Sequence, residues 1–427
     1  LGNTLLIKLF YSFGNHSLFV ARLPNVLANI LFLYFSYKIC SAFFTNALLG
    51  LCAFIALVFN PFLLDFFSIA RGYGLSLGFM MASLVYALSF IKVAKQKILI
   101  ATLLFASLAV FCNFSMLNYF LALVFAIGLW CTGADQRKHA KRAITTLIIA
   151  SVVLALAVYE PLRKLTEAGA LYYGGDASFY ADTLYSLARY TMYNSAPSAI
   201  VSGCLNVFLV LYCVSICLSF AYNRIVFSLR TFALFLLLVA ATAVVIQFYL
   251  LGTPYLIDRT ALFFYPLIVF SLFTALDTIA HTIIKALAIF IVMPLVANFL
   301  VHANLYKTTL WQFDARTKEV LAFLSQQAKI QRRKLHIDFS WPFQNSMDYY
   351  AKLQTNDVLK YVDDKGNRHA VSPQADYYVY LTKSLDKVGY NAQDHKILSV
   401  AKDTCLVFPE DGIIVFSIKK DTCFVVP

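Results

Sequence analysis

The chain has 427 residues, of which 60% are hydrophobic and only 13% charged, with a formal net charge of +13 and a mean hydropathy of +0.72. Soluble domains run at roughly 45–50% apolar and about 25% charged residues, so this composition excludes an ordinary water-soluble domain and equally a disordered chain. Nor does the positive excess form the basic patch of a nucleic-acid binder, since residues 1–304 hold 18 Lys+Arg and 8 Asp+Glu spread between apolar runs, whereas residues 305–427 hold an ordinary 17 and 14.

The order of segments predicts a polytopic all-α membrane bundle over residues 1–304, followed by a small soluble α+β domain over residues 305–427. The sequence starts at Leu1 in mid-pattern, with no basic n-region or small-residue cleavage site, and the N-terminus is expected to be missing. Ten apolar runs are candidate spans: 25–43, 46–62, 73–91, 98–112, 115–132, 143–160, 198–220, 231–251, 260–278 and 282–302. The second and fourth are short, and are expected to be tilted or partly re-entrant. Lys92, Lys95 and Lys97, then Arg137, Lys138, Lys141 and Arg142, then Arg224 and Arg230, then Lys285 all fall on one side under strict alternation. That side is cytoplasmic by the positive-inside bias. Residues 1–24, 62–73, 161–197, 252–259 and the tail are then extracytoplasmic.

Four outward segments carry the polar chemistry. Near the start, Asn3, Lys8, His16 and Arg22 are the polar points; His16 reads as a solvated loop residue, and Arg22-Leu-Pro-Asn25 opens a span with proline where a helix start tolerates it. After the second span comes Asn60-Pro-Phe-Leu-Leu-Asp65-Phe-Phe-Ser-Ile-Ala-Arg71-Gly-Tyr73-Gly74. An Asp and an Arg at the mouth of an apolar bundle are costly unless paired or used. Arg71 beside two glycines offers a guanidinium fork that a phosphate could meet closely; the alternative is an Asp65–Arg71 salt bridge that only orients helices. The 161–197 loop is rich in tyrosine (Tyr172, Tyr173, Tyr180, Tyr185, Tyr190, Tyr193), and Phe179, Leu184, Leu187 and Tyr190 approximate a helix face that would lie in the membrane interface. It is read either as a lid over a ligand or as belt tyrosines with no ligand. The fourth segment, Gly252-Thr-Pro-Tyr255-Leu-Ile-Asp258-Arg259-Thr260, brings a second arginine to the same side, as a partner of Arg71 at one anion or as an interfacial anchor.

Seven cysteines (Cys40, Cys52, Cys112, Cys131, Cys204, Cys213, Cys217) lie in or beside apolar spans as small hydrophobes. No Cys/His spacing suggests zinc; no cofactor is certain, and a divalent cation stays open. In the tail, Asp314 is expected to cap a helix running to about Ala328 with Val320, Leu321 and Leu324 on one face. Alternating runs at Lys334–Phe339, Asp376–Leu381 and Gly412–Ile418 predict strands. Cys405 and Cys423 sit in a short repeat, Lys402-Asp-Thr-Cys-Leu-Val-Phe-Pro409 and Lys420-Asp-Thr-Cys-Phe-Val-Val-Pro427, where a disulfide between them would persist outside the cell.

Taken together, Arg22-Leu-Pro-Asn, Asn60-Pro-Phe-Leu-Leu with Ala70-Arg71-Gly-Tyr73, and Asp258-Arg259-Thr resemble the lipid-dependent GT-C glycosyltransferases, the protein-mannosyltransferase and aminoarabinose-transferase-like superfamily of bacterial membrane proteins. The resemblance covers roughly residues 1–304. It implies transfer of a sugar, with inversion, from a polyprenyl-phosphate donor to a lipid, glycan or protein acceptor at the outer face of the bacterial inner membrane, with no nucleic-acid partner. Arg71 and Arg259 would stabilise charge on the leaving phosphate, and Tyr73 and Tyr255 would hydrogen-bond the phosphate or sugar, with Asn3, Arg22 and Asp258 as further binding residues. The family's principal acid lies in the first outward loop after a first membrane helix, and neither is present in this sequence; residues 1–24 look like the remainder of that loop. Asp65 is the nearest carboxylate, expected to assist or to partner an arginine rather than serve as the main base. A transporter or flippase of a lipid-linked or small anionic substrate is the competing class; it would show span repeats and midplane charges, which this sequence lacks.

Overall fold

The structure, a computed structural model, describes residues 2–14, 17–132, 137–169, 173–222, 229–279, 281–304, 306–340, 343, 346–347, 349–350, 359–361, 375–381, 403–409 and 411–417. The chain divides into two compact units, Leu1–Ala303 and Asn304–Pro427.

The first unit is helical. In chain order the helices are α1 (Gly2–Tyr11), α2 (Leu18–Phe43), α3 (Ala47–Val58), α4 (Pro61–Ser68), α5 (Tyr73–Val93), α6 (Gln96–Cys112), α7 (Met116–Cys131), α8 (Arg137–Glu167), α9 (Tyr185–Thr191), α10 (Ser198–Tyr222), α11 (Leu229–Leu251), α12 (Phe264–Asp277) and α13 (Thr282–His302). Each of the ten predicted spans falls on helix, although the first begins at Leu18, which puts Pro24 inside α2 rather than at its start; among the described residues only six helices are long and apolar enough to cross a bilayer alone: α2, α5, α8, α10, α11 and α13. The rest fall short for a geometric reason. At 1.5 Å per residue, α6, α7 and α12 reach only about 21–26 Å against a hydrocarbon core of about 30 Å. The predicted span 46–62 is a pair, α3 and α4, bent by 54°. Pro61 disfavours helix at Asn60, and the Asn60 carboxamide restarts it by accepting from the amides of Phe62 and Leu63 at 3.0 and 3.3 Å. The segment expected as an outward loop therefore contains a helix.

Helix α5 is the centre of the bundle, with 72% of its apolar window buried, while α13 buries 11% and α10 17%. The outer helices turn large apolar side chains outward, among them Leu156, Val207, Leu250 and Phe290, the kind of surface that a membrane rather than water covers. This is a multi-pass membrane protein. Polar links tie the ends of the helices in two groups. At one end, Asp277 accepts from Thr45 N, Thr45 Oγ1 and Asn46 N at 2.8–2.9 Å, Thr278 donates to Ser219 at 2.8 Å, and Gln96 donates to Thr146. At the other, Asn298 donates to the Thr191 carbonyl at 2.9 Å, and Tyr193 to Asp65 at 3.2 Å.

The second unit is α+β. Helix α14 (Thr317–Gln331) is followed by strands β1 (Leu335–Phe339), β2 (Leu359–Tyr361), β3 (Tyr377–Leu381), β4 (Asp403–Phe408) and β5 (Ile413–Ser417), ordered β2-β1-β3-β5-β4. Strand β1 runs parallel to β2 and β3, and the β3–β5 and β4–β5 pairs are antiparallel. Val320, Leu321 and Leu324 of α14 are buried on the sheet face formed by Leu335, Ile337, Tyr377, Val379, Ile413 and Val415, as the period-3.6 and period-2 patterns require. Asp314 does not cap α14. It sits inside a 3-10 turn, Gln312–Arg316, which moves the helix start to Thr317, and it accepts from Ser346 instead. The first copy of the tail repeat forms β4, where Cys405 is disulfide-bonded. Cys423 and the second copy, with His16, Tyr172 and Arg224, lie outside the described residues.

Candidate functional site

The residues singled out in sequence gather mainly at one end of the helical unit. Asn3 on α1 and Asn25 on α2 form the frame. Asn3 is 7% exposed and Asn25 fully buried; Asn25 Nδ2 donates to Asn3 Oδ1 at 3.0 Å, and Asn3 Nδ2 donates to the Ala70 carbonyl at 3.1 Å. Asn25 Oδ1 accepts from the Leu75 amide at 3.2 Å. Gly72, the N-cap of α5, has no side chain to satisfy the first amides of that helix, so an asparagine fifty residues upstream does so. The two asparagines thus bracket residues 70–75, which carry Arg71 and Tyr73. Gly72 is required here because a Cβ would lie 2.1 Å from the Cys112 carbonyl oxygen.

From the other side comes the segment between α11 and α12. Gly252, at φ +63°, ends α11 in the left-handed conformation, Pro254 prevents its continuation, and the chain reaches a 3-10 turn, Asp258–Ala261. Asp258 itself has φ +49°, a conformation that Asp tolerates better than most residues, and its amide donates to Ser186 Oγ at 3.0 Å. This turn delivers Arg259 to Tyr73: Arg259 Nε donates to the Tyr73 hydroxyl at 3.0 Å across 186 residues. The Tyr73 ring in turn lies against Phe66 of α4, 5.0 Å between centroids.

The tyrosine-rich loop supplies the third side. Tyr173 stacks on the Arg259 guanidinium, 3.8 Å from ring centroid to Cζ, and donates its hydroxyl to Asp258 Oδ2 at 2.8 Å. Burial first, and the Asp258 carboxylate second, hold the Tyr173 phenol well above its usual range, against the opposing pull of Arg259. It is a proton donor at any physiological pH. Gly175 exchanges backbone hydrogen bonds with Tyr255 at 2.8 and 2.9 Å. The predicted helix appears as a π-helical turn, Phe179–Leu184, followed by α9. Its apolar face is packed inward rather than left for the interface: Phe179 meets Phe264 edge-on at 5.5 Å, Tyr190 stacks on Phe62 at 4.9 Å, and Leu187 is buried.

Not every expected residue joins. Arg22 is exposed on α2 and is not brought into this network. The Tyr255 ring is buried and stacked on Phe248 at 4.2 Å, so Tyr255 contributes through its backbone. Asp65 is buried on α4 and accepts from the Tyr193 hydroxyl at 3.2 Å, while Arg71 is exposed. Sequence reasoning did not name Ser186; it named Asn25 only as the last residue of Arg22-Leu-Pro-Asn25, and Tyr173 and Tyr193 only among the tyrosines of their loop. A polar carboxamide inside an apolar span was the available signal for Asn25; the others sit in a loop whose partners are remote in sequence. No group of three or more His, Cys, Asp or Glu residues able to hold a metal ion occurs among the described residues.

ArnT from Cupriavidus metallidurans, crystallised with undecaprenyl phosphate bound, aligns with 99% of this chain and 88% of its own length at a TM-score of 0.52 and 10% sequence identity. The fold is GT-C-like. No protein-family model and no curated protein sequence matches the chain, so the likeness resides in backbone architecture. Within that GT-C-like fold, the Arg71–Tyr73 turn and the Asp258–Arg259 turn converge at the end of the bundle that the asparagine frame organises.

Proposed function

We propose that the protein is an integral membrane glycosyltransferase that moves a sugar from a polyprenyl-phosphate donor to an acceptor at the extracytoplasmic face, with inversion. One observation carries this reading: Arg259 is bonded through Tyr73 to the turn that bears Arg71, 186 residues away, in a backbone like that of a protein crystallised with undecaprenyl phosphate. Departure of a polyprenyl phosphate builds negative charge on its oxygens, and preplaced guanidinium groups stabilise that charge without reorganising as it forms. Arg71 and Arg259 take this role, Tyr73 orients Arg259, and a phosphate dianion meets a guanidinium by paired in-plane hydrogen bonds. Attack by an acceptor hydroxyl needs a carboxylate to take its proton; Asp65, buried beside the Tyr193 hydroxyl, serves as an assisting carboxylate.

The bias of lysine and arginine toward the connections at the opposite end of the bundle supports an orientation with that end on the cytoplasmic side of a bacterial inner membrane and residues 305–427 on the outer side. The acceptor is a lipid, glycan or protein. The test is sugar transfer from a polyprenyl-phosphate-linked donor by the full-length protein in membranes. Arg71→Ala and Arg259→Ala are each expected to lower transfer by about 10²–10³-fold, the scale of one lost charge-stabilising donor, with unchanged amounts of folded protein. Transfer retained in both variants would remove the assignment.

A further inference from the structure

Tyr173 touches both members of the Asp258-Arg259 dipeptide at once. Its ring lies 3.8 Å from Arg259 Cζ, and its hydroxyl is 2.8 Å from Asp258 Oδ2. Asp258 takes a left-handed φ of +49°, so one ring engages two consecutive side chains across that bend. Tyr173 is itself held. Gly175 pairs with Tyr255 through two backbone hydrogen bonds, and Gly174 lies so close to this segment that a Cβ would be 2.3 Å from Pro254 Cβ. Residues 173–175 and 255–259 thus form a short ribbon with Tyr173 at its end.

We propose that Tyr173 is the positioning residue of this site: it clamps Arg259 against Tyr73 before a phosphate arrives. The inference rests on the glycosyltransferase reading above and adds to it the residue that preorganises its arginine. An arginine side chain has many rotamers, and ordering it only at the moment of binding weakens the complex. Here the guanidinium face rests on the Tyr173 ring and Nε is bonded to Tyr73. A ring on the guanidinium face leaves in-plane hydrogen bonding to a phosphate intact. The hydroxyl also donates to one oxygen of the neighbouring Asp258 carboxylate, so one side chain ties both residues of the turn.

The experiment is native mass spectrometry of the full chain in detergent, titrated with undecaprenyl phosphate, for the wild type, Tyr173→Phe, Tyr173→Ala, Arg259→Lys, the two Tyr173 variants combined with Arg259→Lys, and Arg259→Ala. Tyr173→Phe keeps the stack and loses the bond to Asp258, and is expected to weaken binding about threefold to tenfold. Tyr173→Ala loses both and is expected to weaken it about thirtyfold. The diagnostic is coupling: in the Arg259→Lys background each Tyr173 substitution should cost under about threefold, because its effect runs through the guanidinium. Equal penalties in both backgrounds, or wild-type affinity in Tyr173→Phe and Tyr173→Ala, overturn the proposal. Should Tyr173→Ala fail to fold, the cycle built on Tyr173→Phe decides between the same two outcomes. Wild-type binding that is indifferent to Arg259→Ala would instead overturn the phosphate site itself, so the two failures are distinguishable.

Discussion

Replacing Asn25 with alanine tests whether the frame, rather than the arginines alone, makes the site. Asn25 is fully buried, and the substitution removes the acceptor of the Leu75 amide and the donor to Asn3 Oδ1. Leu75 N is one of the orphan donors at the start of α5, and the Gly72 cap position offers no side-chain replacement. Each buried group left without its partner costs about 1–3 kcal/mol, so Asn25→Ala should destabilise the helical unit by about 2–6 kcal/mol. The loss has a functional face as well. Residues 70–75 are tied at Ala70 through Asn3 and at Leu75 through Asn25; with the second tie cut, Arg71 and Tyr73 lose a fixed support. Asn25→Asp separates the two halves of the role, since it keeps an acceptor for Leu75 N but sets a carboxylate oxygen against Asn3 Oδ1. Flipping the Asn3 amide relieves that clash only by turning its oxygen toward the Ala70 carbonyl. Both variants should melt earlier than wild type in detergent and bind undecaprenyl phosphate more weakly. An Asn25→Ala protein within about 0.5 kcal/mol of wild type, with unaltered lipid-phosphate affinity, would refute the frame.

Three further outcomes follow from other contacts. Gly72→Ala should lower stability and lipid-phosphate binding together, because its Cβ would meet the Cys112 carbonyl oxygen at 2.1 Å, whereas Gly203→Ala, with nothing within 4 Å, should leave binding as in wild type; equal effects in a side-by-side titration would contradict the packing argument. Asp277→Ala removes the acceptor of three bonds from Thr45 and Asn46 and should cost about 2–4 kcal/mol in thermal unfolding; an unshifted melting curve would show that other contacts hold that end of the bundle. In the second unit, burial pushes the Tyr378 phenol up to about 12. The folded state therefore keeps its proton where the unfolded chain, near pH 10, loses it. This contribution to stability is intact below about pH 10 and is lost as pH rises through 12. Tyr378→Phe should flatten that alkaline decline, and an unchanged profile would contradict it.

Much of the architecture is legible from residue order because it depends on quantities that add up locally. Hydropathy over a stretch of about 20 residues marks a helix that lipid can surround, and all ten apolar runs fall on helix, the second of them on the bent pair α3 and α4. The switch to ordinary charge density after residue 304 marks the α+β unit, and period-2 runs mark β1, β3 and β5. Arg71, Tyr73, Asp258 and Arg259 stand out because ionisable and aromatic groups beside glycine and proline are conspicuous at the mouth of an apolar bundle. Their joining is another matter. The Asn25–Leu75, Tyr173–Asp258 and Tyr73–Arg259 bonds span 50, 85 and 186 residues, and no local sum of propensity or hydropathy specifies which helix ends meet. That is decided by how α1, α2, α5 and α12 pack and by turns held in place by remote partners, as Asp258 is by Ser186. Side-chain volumes and backbone amides select such contacts only once the bundle has closed.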